Sequence, residues 1–119
     1  MSQYGSGLLL VMMEPEPAFE EKLNRWYTEE HFAERLSVPG FLGGRRFVAV
    51  TGQPKYLALY DLASPEVLQS EPYLALSEPP SPWTAEVRKH VAITRNVYRD
   101  ITPHLPPGFV PRRRPAGEL

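Results

Sequence analysis

The sequence predicts an α+β fold, with four antiparallel strands and two helical segments in the order β-α-β-β-α-β, the ferredoxin-like split unit. Three observations carry this expectation. The 14 prolines of the 119-residue chain leave residues 18–38, 40–53, 55–64 and 83–102 clear, and proline is expelled from element interiors by its missing donor and fixed φ. The clear stretches read in turn as helical periodicity and as β-branched or continuous apolar runs. The composition, 42% hydrophobic and 23% charged, is that of an ordinary globular chain, and the length fits one domain.

Leu8 to Met13 is a continuous apolar run and reads as a strand buried on both faces. Glu16-Pro17 opens a helix, with proline at its first position and acids in its first turn, and Val38-Pro39-Gly40 stops it. On a wheel of about 100° per residue, Phe19, Leu23, Trp26, Tyr27, Ala33 and Leu36 share one broad face. Glu30 lands in the middle of that face and His31 at its edge. Phe41 to Thr51 reads as a second strand, with Gly43-Gly44 marking a bulge or a close backbone approach. Gly52-Gln53-Pro54 turns it into a third strand, Lys55 to Leu62, as an antiparallel hairpin. Ser64-Pro65 starts a second helical region with Ser64 as N-cap. Pro72, Pro79, Pro80 and Pro82 break that region into a short helix, an irregular loop carrying Tyr73 and Trp83 as a lid, and a helix from Ser81 to Lys89. His90 to Ile101 is the last strand. The expected organisation is a flexible N-terminus (1–7), one domain (8–101) and a Pro/Arg-rich tail (102–119).

Several function classes drop out early. With no cysteine in the chain, disulfides, thiolate metal sites and cysteine nucleophiles are excluded. The longest apolar run is far short of the ~20 residues that span a bilayer, and no signal-like start is present, so a cytoplasmic protein without membrane partners is expected. A net charge of −1 supplies no global field for nucleic acid. Phosphate-loop, nucleophile-elbow and dinucleotide fingerprints are missing. His31 and Glu34 have the spacing to share an ion, but His90 and His104 lie far along the chain, so no metal is expected. Both faces of the predicted strands are apolar, and helices on one side leave the other uncovered. Sheet-to-sheet homodimerisation is the simplest cover.

The segments Trp26-Tyr27-x-Glu29-Glu30-His31-Phe32, Val38-Pro39-Gly40-Phe41, Arg45-Arg46-Phe47 and Pro54-Lys55-Tyr56-Leu57-Ala58-Leu59-Tyr60 resemble the EthD-like branch of the dimeric α+β barrel superfamily over roughly residues 8–101. The resemblance implies a barrel closed by two copies and a small, often aromatic or lactone-like ligand between sheet and helices. The superfamily holds isomerases, cyclases, cofactor-free monooxygenases, haem-degrading enzymes and stress-response proteins, so fold does not choose the reaction. It also implies an active-site role for the helix histidine, His31.

The residues themselves name the candidates. The ordinary pKa of an imidazole suits His31 to proton transfer without a cofactor. Glu30, on an apolar face, needs either a partner among Arg45, Arg46 and Arg95 or a raised pKa that would make it an acid/base group. Tyr60 and Tyr98 are placed to hold a developing oxyanion, together with Arg46. Arg45 and Arg46 point to opposite faces, so one of them meets the helices. Trp26, Tyr27, Tyr56 and Trp83 offer rings to an aromatic ligand, and Arg95 and Asn96 polar contacts. The expected function is cofactor-free isomerase, lyase or cyclase chemistry on an aromatic or carbonyl-bearing small molecule. The alternatives are a cofactor-free monooxygenase and a non-catalytic ligand binder.

Overall fold

The computed structural model describes residues 4–112 of the chain. Four strands, β1 (Gly7–Pro15), β2 (Phe41–Val48), β3 (Tyr56–Leu62) and β4 (Val91–Arg99), form one sheet in the order β2-β3-β1-β4. Every pairing is antiparallel. The expected β-α-β-β-α-β order and the β2–β3 hairpin are both present. The N-terminal residues 1–3 and the end of the tail, 113–119, lie outside the described residues. Residues 102–112 of the tail are exposed.

Register decides which side chains meet the helices. Leu9, Val11 and Met13 of β1 are buried, whereas Leu8, Leu10 and Met12 between them are only half-buried. This run, apolar on both faces, therefore has one covered face and one open face. The covered row continues through Ala58 and Tyr60 on β3, Gly44 and Arg46 on β2, and Ile93 and Arg95 on β4. Gly44 is a close approach of the kind expected: a Cβ there would stand 2.9 Å from the Tyr60 ring and 3.2 Å from that of Phe32. The predicted bulge appears as a register shift between Phe41 and Gly43.

The first helical segment covers half of the sheet, in four pieces. A 3-10 turn (Pro17–Phe19) leads into α1 (Glu20–Trp26), a π turn (Tyr27–His31) and α2 (Phe32–Leu36). In the π turn the Phe32 N–H reaches back five residues to the Tyr27 carbonyl, so one extra residue is housed in a wide turn. A wheel of uniform period therefore misplaces the residues beyond that turn. Ala33, expected inside, is exposed, and Arg35 is buried. Gly40, with φ of 97°, ends the passage into β2 in a conformation that favours glycine.

The second helical region also differs from expectation. It comprises a 3-10 helix (Pro65–Gln69), α3 (Glu71–Ser77) and α4 (Pro82–His90). Ser64 makes no side-chain cap, whereas Ser81 caps α4 by accepting the Thr84 N–H at 3.0 Å. Pro72 does not break a helix: it sits in the first turn of α3, where its missing donor costs nothing. Tyr73 and Trp83 consequently lie on α3 and α4, not on an irregular lid. No helix among the described residues is long and apolar enough to cross a membrane.

Candidate active site

Between the covered sheet face and the second helical region lies a cavity of about 680 Å³, within the range of small-molecule sites. Leu9, Val11 and Met13 form its floor, Val87 and Val91 an apolar wall, and Trp26 and Tyr60 its back. Polar groups enter at chosen points: His31 and Arg35 from the first helical segment, Ser77 and Glu78 at the end of α3, Thr84 and Arg88 from α4, and Arg95 from β4.

His31 is 8% exposed. Its ring stacks on Trp26 at 4.1 Å and meets Tyr27 edge-on at 5.2 Å. Among the described residues its buried Nδ1 atom has no hydrogen-bond partner. Burial, reinforced by the positive charges of Arg35, Arg88 and Arg46, pushes its pKa down to about 3. The imidazole is therefore neutral near pH 7.

Glu30 takes partners other than the expected arginines. Among the described residues no arginine pairs with it. Its Oε2 instead accepts from Trp26 Nε1 at 3.1 Å, Ser81 Oγ at 2.8 Å and Thr84 Oγ1 at 3.3 Å. The carboxylate lies at the start of α4, where the helix dipole favours negative charge. Trp26 is thereby pinned between the two helical regions, and His31 is stacked on a fixed ring. Glu30 does not itself line the cavity. Glu34, one turn on, has its carboxyl pKa raised by burial and by the charge of Glu30.

Tyr60 and Tyr27 face one another beneath the cavity, 1% exposed each, and neither hydroxyl has a well-formed hydrogen bond among the described residues. Burial raises both phenol pKa values, so each hydroxyl keeps its proton and stays a donor. Only Tyr60 reaches the cavity wall.

The other candidates divide by face and by end of the sheet. Arg46, not Arg45, points to the helices, but its guanidinium lies 4.0 Å above the Tyr27 ring and 5.4 Å from that of Tyr56. Arg46 and Tyr56 are thus packed behind Tyr27, away from the cavity. The Tyr56 hydroxyl donates to Glu20 at 2.5 Å and accepts from Asn24. Tyr98 and Asn96 pair with Leu8 and Leu10 and so stand on the open face, with the sheet between them and the cavity. Trp83 packs against the core from outside the lining. The structure therefore brings together Trp26, His31, Tyr60 and Arg95, and leaves Tyr27, Tyr56, Arg46, Tyr98, Asn96 and Trp83 elsewhere. Among the described residues no group of three His, Cys, Asp or Glu is placed to hold a metal ion.

Sequence reasoning missed Arg35, Arg88, Ser77 and Thr84. A signal for the first was present. Tyr27, His31 and Arg35 are spaced four apart, the line a wide turn keeps on one side.

No family model matches the chain, and no curated protein does. Solved structures do. A dimeric ferredoxin-like protein from an uncultured marine organism matches with a TM-score of 0.62 at 16% identity, covering 85% of this chain and 100% of that one. The haem-degrader MhuD from Mycobacterium tuberculosis, with two haems bound in its active site, matches at 0.61 and 17% identity, covering 82% and 98%. An ethyl tert-butyl ether degradation (EthD) family protein from Bacillus halodurans matches at 0.53 and 14%, covering 76% and 96%. The chain has a ferredoxin-like α+β fold. At these identities the likeness shows the fold alone, and EthD-family and haem-degrading proteins share it.

Proposed function

We propose that this chain is a small-molecule enzyme that moves a proton on an aromatic or carbonyl-bearing ligand without a cofactor, in isomerase, lyase or cyclase chemistry. The observation that supports it is His31: an uncharged imidazole with a free nitrogen, fixed on Trp26 in the wall of a largely apolar cavity. A neutral imidazole accepts a proton from carbon beside a carbonyl. The Tyr60 hydroxyl, held protonated, donates to the enolate oxygen that develops. Arg95 and Arg35 add positive charge where the ligand turns negative.

The reading includes a homodimer. Leu8, Leu10, Met12, Leu57 and Leu59 line the open sheet face, half-buried in a single chain, with Phe47 36% and Tyr98 46% exposed beside them. A second copy laid sheet to sheet covers them. Light scattering at micromolar concentration is expected to return a dimer mass.

The proton-transfer step is tested by proton NMR in deuterium oxide with a panel of aryl ketones and β-dicarbonyl compounds. The protein is expected to exchange the proton beside the carbonyl, and His31→Gln to slow that exchange by about 10²-fold or more while ligand affinity stays within about threefold. Unchanged exchange in the variant sinks the step. The competing readings give different signals in the same samples. Oxygen uptake marks a cofactor-free monooxygenase, a shifted Soret band on adding haem marks a haem protein, and binding without exchange marks a ligand binder.

A further inference from the structure

The charges on the cavity wall do not balance. Three guanidinium groups (Arg35, Arg88 and Arg95) face it against one carboxylate, Glu78, and among the described residues none of the three forms an ion pair. Arg35 is the sharpest case. It is 8% exposed, and its Nη1 is buried without a hydrogen-bond partner among those residues. A guanidinium cannot shed its proton, and an unpaired charge held out of water is unfavourable. What it has instead of a carboxylate is Tyr73, whose ring centroid lies 5.3 Å from the guanidinium carbon. Arg95 uses the same tyrosine: its guanidinium lies 5.9 Å from that ring, and its Nη2 donates to the hydroxyl at 3.0 Å. Two like charges are thus gathered on one phenol ring at the edge of an apolar chamber. Phe41, stacked on Tyr73 at 5.9 Å, supports that ring from behind.

We infer that the cavity holds an anion subsite, centred on Arg35 and completed by Arg95, that receives the carboxylate of a mainly hydrocarbon ligand. The planar fork of a guanidinium matches a carboxylate with two parallel hydrogen bonds, and Arg35 lines the cavity with no ion-pair partner among the described residues. The remainder of the wall, from Leu9, Val11, Met13, Val87 and Val91, suits rings or alkyl groups. Inorganic phosphate would leave that apolar wall unused. The inference deepens the proton-transfer reading and rests on the same cavity, because it names the class of substrate: an organic acid. An anion seated beside Arg35 also offsets the repulsion that Arg35, Arg88 and Arg46 exert on a proton at His31, so the ligand itself strengthens the base that acts on it.

The test compares two probes of one shape, 1-naphthoate and uncharged 1-naphthamide, by isothermal titration of the full chain. Naphthoate is expected to bind at least about tenfold more tightly. Arg35→Gln should bring the two affinities within about twofold of each other by weakening naphthoate alone, and Arg35→Lys, which keeps the charge but not the fork, should fall between. Arg95→Gln, a change at an exposed position, is expected to give a partial loss of about threefold and serves if Arg35→Gln does not fold. Equal affinities in the unmodified protein, no binding of either probe at millimolar concentration, or an unchanged ratio in both glutamine variants overturns the subsite. Proton exchange is not read here. A carboxylate preference that stands while His31→Gln leaves exchange untouched overturns the proton-transfer step and spares the subsite.

Discussion

Arg46 and Arg95 stand at opposite ends of one cross-strand row, Arg46–Ala58–Val11–Arg95, on the same face of the sheet. Each lies against tyrosine rings. At the Arg46 end the first helical segment packs tightly: Tyr27 and Tyr56 flank the guanidinium, and Glu20 is shared by Lys55 and Tyr56. At the Arg95 end the second helical region stands off the sheet and leaves the cavity, with Arg35 and Arg88 also outside any ion pair among the described residues. The row supplies equivalent chemistry at both ends. The covering helices and the counter-charges decide which end is packing and which is a site.

Substitutions at the two ends put that contrast to the test. The largest effect is expected from Trp26→Ala. The indole is 2% exposed, carries His31 on its face and joins Glu30 to Thr84, so its loss should cost about 3–5 kcal/mol in chemical denaturation. Tyr60→Phe should next slow proton exchange by about 10²-fold while shifting the denaturation midpoint little, because the hydroxyl it removes has no well-formed hydrogen bond to lose, only the neighbouring Tyr27 hydroxyl. A merely structural Tyr60 would leave exchange alone.

The histidines give a third test, with opposite signs. His31 has a folded pKa of about 3, below its ordinary 6.5, so between those values the unfolded chain binds more protons and stability falls as pH falls. From pH 6.5 to 5 the loss should be about 2 kcal/mol, and His31→Gln should remove most of it. His90, at the far end of α4, is held between Glu16 at 2.7 Å and Glu86 at 3.3 Å, and the hydrogen bond to Glu16 raises its pKa. Its contribution is present in full below its unfolded pKa and fades as pH rises through the folded one. His90→Gln should therefore remove a loss of stability that sets in as pH rises above about 6.5, whereas His31→Gln flattens the loss below it. Thermal melts at several pH values separate the two. The smallest effect is expected at the packed end of the row. Arg46→Met should change stability by no more than about 1 kcal/mol, the lost cation–π contacts being offset by removal of a buried unpartnered Nη2. It should leave the naphthoate preference intact; loss of that preference would merge the two ends into one site.

The elements were legible in the sequence because proline placement and apolar runs act locally. His31 and Trp26 were legible through the segment resemblance and the wheel. Tyr98 and Asn96 were assigned to the wrong face by strand parity. Val91, Ile93 and Val97 share the covered face with Arg95, and the more polar set between them stands on the open face. Arg35 was hidden for a different reason. A charged residue on a helix reads as surface unless its counter-charges and the helix period are both known, and here the period changes midway.

That change of period makes the helix two reading frames spliced at one point. Residues up to Trp26 are in frame with the chain entering from β1, and Phe32 onward with the chain leaving for β2. Because a π turn is the mark of a single accommodated extra residue, deleting exposed Thr28 would rejoin the frames as a plain α-helix and leave Leu23 and Arg35 where they stand. Tyr27, Glu30 and His31 all sit inside the splice. An insertion or deletion that the fold tolerates at this turn would thus re-aim these side chains together, the imidazole over the cavity among them, which makes the splice the point where a change of one residue in length acts directly on the site.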